Sequence, residues 1–290
     1  MAAFQLLSGK EVDAARWNAL VDKAPLPYAY TWYLDAVAPG WKAGVAGDYE
    51  QVMPLPVARR FFSSYVYQPL FCQQLGVVGA SAGSSVADWL EWVGQQYTRA
   101  HYNLNFQNAV EKMEGVERTN LILPLNASES VQSGFSAHTR RQLAKAARQG
   151  VSAAECDASI KALLDFYVAH TALRDKHFKS RHQQQLQQLT KAFTDRNLIS
   201  WFVALDDAGA WLAIAGIVSH GHRRIHLLPA VNEAGRKVGA MHFLTAYILN
   251  HYSDQGLLYD FEGSSEPGIA RFYEGFGAVP QNYRQWRVGW

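Results

Sequence analysis

Three successive apolar runs in the second half of the chain, ISWFVALD, AWLAIAGIVSHG and RIHLLPAV, restrict the folds open to it. A run such as LAIAGIV has no polar alternation. As a strand it needs cover on both faces, which calls for a sheet flanked by helices. The covering helices are legible. In ASIKALLDFYVAHTALR, residues 158 to 174, Ile160, Leu163, Leu164, Tyr167, Val168 and Thr171 recur at helical spacing. Other helices are predicted at roughly 137 to 149 (HTRRQLAKAARQG), at 181 to 195 and in VGAMHFLTAYILNHYSDQG. A strand (LLYDFEG), a short helix (GIARFYEGFG) and a last strand (YRQWRVGW) complete this half.

The first half reads in a similar order. FQLLSG is a strand, and EVDAARWNALVDKA is an amphipathic helix with Val12, Trp17, Leu20 and Val21 on its apolar face. A short helix follows in TWYLDAVA, then a hairpin in WKAGVAGDYEQVMPLPVARRF with its turn at Gly47 and Asp48, then extended chain in SSYVYQPLFCQQLGVVG. SSVADWLEWVGQQYT is a serine-capped helix, and NLNFQ and TNLILPL are strands. The shared order suggests a duplicated architecture, with domains at 1–125 and 126–290. The expected fold class is α+β, each domain a mixed, largely antiparallel sheet flanked by helices.

Of 290 residues, 49% are apolar and 18% charged, so the chain is expected to fold throughout. A net charge of +2 provides no overall field for nucleic acid or an anionic membrane, and charge has to be read locally. Cys72 and Cys156 lie far apart and suit thiols in a reducing compartment, the cytoplasm. The N-terminal MAAFQLLSGKEVDAARW lacks a basic start followed by an apolar run, and no window approaches 18 apolar residues. Neither a secretion signal nor a membrane span is expected.

Local patterns supply the candidates for chemistry. On the helix at 137 to 149, Arg141, Lys145 and Arg148 share one stripe, which suits a phosphate-bearing substrate or simply a solvated face. In YDFEG, Asp260 and Glu262 alternate with Tyr259 and Phe261, so the carboxylates should share one face of a strand. One of them could accept the proton of an attacking amine; the alternative is a helix cap or a partner for arginine. His220, His222 and His226 cluster in SHGHRRIH, but with Gly221 they read as a hairpin turn without a metal. Tyr28, Tyr30 and Trp32 form an aromatic group that either lines a cleft between the halves or packs in a core. Nothing matches a phosphate-binding P-loop, a GxSxG elbow or zinc-finger spacing.

Three stretches of the second half, RRQLAKAARQGV, LLPAVNEAGRKVGAMHFLTAYIL and YDFEGSSEPGIARFYEGFGA, resemble the GNAT N-acyltransferase superfamily. More narrowly they are similar to its FemAB-like and BioF2-like acetyltransferase branch, in which two GNAT-type domains are fused in tandem. The resemblance implies an N-acyltransferase moving an acyl group from acyl-CoA or acetyl-CoA to a small-molecule or peptide amine. It implies two splayed strands with an oxyanion-holding backbone N–H near Ala230 or Val231, and a pyrophosphate loop in AGRKVGA bounded by a helix N-terminus, with Arg236, Lys237, Val238, Gly239 and Ala240. In that loop Ala234 and Lys237 stand where the superfamily has Arg or Gln and then Gly. Tyr273, in FYEGFG, is similar to the tyrosine that protonates the leaving thiolate. Two alternatives accompany this reading: Fem-type transfer from aminoacyl-tRNA to a peptide or cell-wall precursor, and a GNAT module that binds without catalysis.

Overall fold

The computed structural model describes residues 4–61, 63–79, 85–108, 115–171, 178–263 and 266–289. The last three residues of the helix expected at 158 to 174, and Trp290 of the expected final strand, lie outside them. The chain forms two compact units, one of residues 1–119 with 281–290 and one of residues 120–280. This grouping differs from the expected division into 1–125 and 126–290 in that the final ten residues go with the first unit.

The first unit opens with β1 (Phe4–Ser8) and α1 (Ala14–Val21). Helix α1 begins where Asp13 accepts hydrogen bonds from the N–H groups of Ala15 and Arg16, and it buries Trp17 and Val21. After a 3-10 turn at Pro27–Ala29 come α2 (Thr31–Val37), β2 (Lys42–Ala46) and β3 (Gln51–Leu55). The hairpin β4 (Val57–Arg60) and β5 (Ser63–Val66) leads to β6 (Val78–Gly79), α3 (Val86–Gln96) and β7 (Ala100–Asn103). Strand β7 sits a few residues earlier than NLNFQ suggested. Strands β1, β2, β3 and β6 make one antiparallel sheet in that order. A second set runs from β4 through β5 to β7, with the C-terminal residues 285–288 antiparallel to β7.

Strand β8 (Gly115–Leu125) carries the chain into the second unit. There follow α4 (Ser128–Ser133), α5 (Ala137–Arg148), β9 (Ser152–Glu155), α6 (Ile160–His170) and α7 (Ser180–Thr194). Next are β10 (Ile199–Leu205), β11 (Trp211–His220), β12 (Arg223–Val231), α8 (Glu233–Val238), α9 (Ala240–His251), β13 (Leu257–Asp260), α10 (Pro267–Glu274) and β14 (Val279–Val288). Strand β9 escaped the sequence reading because SAAE has no apolar pattern; it pairs along β10 at residues 152–155.

The second unit's sheet has the order β8, β13, β12, β11, β10, β9 and is antiparallel except for the parallel pair β12 and β13. The expected double cover of LAIAGIV is present. Leu212 through Val218 are all buried. Ala213, Ala215 and Ile217 join Leu244, Ile248 and Leu249 of α9 in one core, while α6 and α7 pack on β10, β11 and β12 with Leu163, Leu186, Leu189 and Phe193 buried. The fold is therefore a mixed α/β arrangement, its sheet flanked by helices.

Candidate active site

Strands β12 and β13 run together for only three register pairs, Arg223 with Leu258, Arg224 with Tyr259 and Ile225 with Asp260. Strand β13 then ends, whereas β12 continues to Val231 against β11 alone. Beyond Ile225 the side of β12 facing away from β11 has no partner strand among the described residues. A bulge marks the same place: His226 lies opposite Ile217 and Leu228 opposite Gly216, which leaves Leu227 as an extra residue.

The backbone of β12 beyond the bulge can be oriented. The N–H of Asn232 donates to the carbonyl of Leu212 across the ladder. Antiparallel alternation then turns Ala230 toward β11 and Val231 toward the open side. Of the two residues expected near an oxyanion, only Val231 offers its N–H to the opening. Pro229, two residues earlier on that edge, has no N–H, and its carbonyl accepts from Thr171 Oγ1 at 3.1 Å.

Asp260 occupies the last position of β13 and is fully buried. One carboxylate oxygen takes Arg223 Nη1 at 2.6 Å, and the other takes Asn120 Nδ2 at 2.8 Å and the N–H of Glu262 at 3.0 Å. Arg223 is itself 2% exposed, so the pair is a buried ion pair completed by hydrogen bonds. Asp260, expected as either a base or a partner for arginine, is engaged by three donors, an arrangement that suits the arginine partner.

Glu262 does not share a strand face with Asp260. The strand has ended, and Glu262 has φ +46° with Gly263 at φ +77°. Its N–H folds back onto Asp260 Oδ1, a turn closed by an aspartate side chain. The Glu262 side chain is half-buried. Tyr273, on α10, is 6% exposed with its ring 4.6 Å from that of Phe261. Burial first, and then the charges of Glu262 and Asp260, raise the Tyr273 hydroxyl well above the ordinary phenol range. Glu262, Asp260 and Tyr273 are thus near neighbours at the end of β13, and Asp260 is the one among them paired with Arg223.

Two partners of Asp260 carried no signal in the sequence: Arg223 and Asn120 look like an ordinary turn arginine and a strand residue. His226, expected in a hairpin turn, lies within β12 beside Tyr259 of β13, ring centroids 5.8 Å apart. Both are buried, and both His226 nitrogens and the Tyr259 hydroxyl have no hydrogen-bond partner among the described residues. Burial holds the His226 imidazole down at about 4, so it is neutral. The signal available was a histidine two residues past an arginine pair in an apolar strand.

AGRKVGA is not an open loop. Asn232 caps α8 by accepting from Gly235 N–H at 2.7 Å, and α8 runs to Val238. Gly239, at φ +80°, joins it to α9, which begins at the buried Ala240. Arg236 Nη1 donates to the Val231 carbonyl at 2.6 Å and Lys237 pairs with Glu233 at 2.8 Å, so both expected anion binders have local partners. A Cβ on Gly239 would stand 2.9 Å from Gln142 Oε1 and 3.2 Å from the Gln142 carbonyl. Helix α5 therefore rests on the junction where a CoA pyrophosphate would be expected, and the residues there fit that group poorly.

Arg141, Lys145 and Arg148 are exposed on α5, with no ion pair among the described residues. In the first unit, Tyr28 is 1% exposed, its ring 5.6 Å edge-on to Tyr33, so it packs within that unit's core. Tyr30 and Trp32 are half-buried and stacked at 5.2 Å, with Tyr30 donating to Asp22 at 2.6 Å. His220 ends β11 and Gly221 with His222 make the turn into β12. Among the described residues no group of three His, Cys, Asp or Glu could hold a metal, and no helix is long and apolar enough to cross a membrane.

Residues 133–271 match the family model described as acetyltransferase (GNAT) domain, in keeping with the resemblance read from the second half of the sequence. The whole chain has the fold of FemX, at TM-score 0.68 and 12% identity over 97% of this chain and 96% of that one. It also resembles the C-terminal domain of a putative lysylphosphatidylglycerol synthetase from Agrobacterium fabrum (TM-score 0.60, 14% identity, 97% and 92% covered) and L-PGS from Bacillus licheniformis (0.60, 13%, 96% and 92%). Among curated proteins, none matches the sequence.

Proposed function

We propose that the protein is an N-acyltransferase that receives an acyl donor in the opening between β12 and β13 and passes the acyl group directly to an amine. The reading rests on the convergence of Glu262 and Tyr273 beside the point where β12 loses its partner strand. Glu262 takes the proton of the amine, whose lone pair then attacks the acyl carbonyl carbon. The N–H of Val231, on the open side of β12, holds the resulting oxyanion. Tyr273, kept protonated by its surroundings, gives its proton to the departing group as the carbonyl reforms. No covalent enzyme intermediate is required.

A second reading concerns the donor. Gln142 against Gly239, together with the local pairing of Arg236 and Lys237, favours an aminoacyl-tRNA over acyl-CoA. The exposed basic stripe of α5 would then meet phosphates. The acceptor is an amine of a small molecule, a peptide or a cell-wall precursor. Cys72 and Cys156 form no disulfide among the described residues, which suits the cytoplasm, and the first unit reads as a second, tandem copy of the same architecture.

The test is transfer to a panel of amines from labelled acetyl-CoA and, in parallel, from labelled aminoacyl-tRNA. Transfer from either donor that is lost in Glu262→Gln supports the reading. Absence of transfer from both leaves a GNAT module that binds without catalysis.

A further inference from the structure

The hairpin of β4 and β5 ends on a feature to which the proposed acyl transfer assigns no role. Arg59 and Arg60 close β4 opposite Ser64 and Ser63, and Phe61 follows at the turn. Phe61 is 83% exposed, against 47% for Val279, the next most exposed large apolar side chain among the described residues. Its φ of +54° lies in the left-handed region. Both properties oppose folding: a tight hairpin turn selects Asn or Gly at such a φ, and an exposed ring buries little. The fold therefore has no need of a phenylalanine here.

Its surroundings carry one sign of charge. The Arg60 guanidinium lies 5.7 Å from the Phe61 ring centroid. Both arginines are exposed, neither has an ion pair among the described residues, and the segment 57 to 66, VARRFFSSYV, contains no Asp or Glu. An apolar ring at the tip with two cations one step behind it reproduces the layering of a membrane interface, acyl chains beneath anionic headgroups. Nucleic acid without sequence preference would instead be met by a longer basic groove with several stacking rings.

We propose that this tip docks the protein on an anionic lipid surface, Phe61 entering the acyl boundary while Arg59 and Arg60 stay at the phosphates. One ring and two cations make a weak, reversible contact. The full chain is to be sedimented with phosphatidylglycerol/phosphatidylcholine vesicles, with phosphatidylcholine vesicles alone, and incubated separately with tRNA. The expected result is partition onto the anionic vesicles about tenfold above the neutral ones, weakening as salt rises. Phe61→Asn, a residue the turn accepts readily, should keep the melting temperature and lower partition about tenfold. Arg59→Ser with Arg60→Ser should remove the preference for anionic lipid. Equal partition on the two vesicle types, or unchanged partition of Phe61→Asn, overturns the proposal. So does tRNA binding that depends on Phe61 in a protein that ignores vesicles, which would assign the tip to nucleic acid.

Discussion

Arg223 on β12 and Asp260 on β13 form an ion pair at 2.6 Å with 2% and 0% of their side chains exposed; Arg223 opens the three-pair ladder between the two strands and Asp260 closes it. The pair thus ties the strands together across the whole of their short run of hydrogen bonding.

Removing one member leaves the other as an uncompensated buried charge. Asp260→Ala or Arg223→Ala is expected to lower stability by about 3–5 kcal/mol, measured by denaturant unfolding. Replacing both with apolar residues should recover much of that loss. A double variant no more stable than either single one would show that the pair does not act as a unit.

Glu262 and Tyr273 separate chemistry from stability. Glu262→Gln is expected to lower kcat by about 10²–10⁴-fold while leaving the unfolding midpoint nearly unchanged, because the side chain is half-buried and charge alone is altered. Tyr273→Phe should lower kcat while retaining the ring packing on Phe261. Since the Tyr273 hydroxyl is raised above the usual 10, its acid form persists at alkaline pH, and the rate should show no tyrosine-dependent fall below about pH 10.

His226 makes stability depend on acid. Its folded-state value, about 4, lies below the unfolded 6.5, so between these values the unfolded chain binds the proton and the native protein does not. Stability contributed by the neutral imidazole is present above 6.5 and falls as pH drops toward 4, by on the order of 3 kcal/mol. His226→Phe should flatten the slope in a pH series of melting curves. Part of it will remain from His242, also lowered to about 4, by burial and then by the charge of His138.

Gly235 tests the α8–β11 contact. A Cβ there would run into the carbonyl oxygen of Leu212, which is backbone and cannot swing aside. Gly235→Ala is expected to cost about 1–3 kcal/mol by thermal unfolding.

For the α5 stripe, Arg141→Glu with Lys145→Glu should change stability by less than about 0.5 kcal/mol, as both side chains are exposed and unpaired. If tRNA is the donor, the same change weakens its binding and reduces the slope against log salt by about one per lost contact. Salt-insensitive binding excludes that donor.

Much of the fold could be read locally. The period of Ile160, Leu163, Leu164 and Tyr167, the unbroken LAIAGIV and the serine before α3 announced helices, a doubly covered strand and a cap because each depends on neighbours within a few residues. Tyr273 likewise stood out through its motif. The sequence also suggested that Asp260 and Glu262 were equivalent, since alternation was the only relation it could display. Their roles diverged through residues far along the chain: Arg223, 37 positions away, and Asn120, 140 positions away, both converge on Asp260. Glu262 is turned out of the strand by its positive φ and meets Asp260 through its N–H. Periodicity reports which side of an element is apolar, whereas the partner of a buried charge is set by strand order and register, which bring distant segments together only when the sheet has formed.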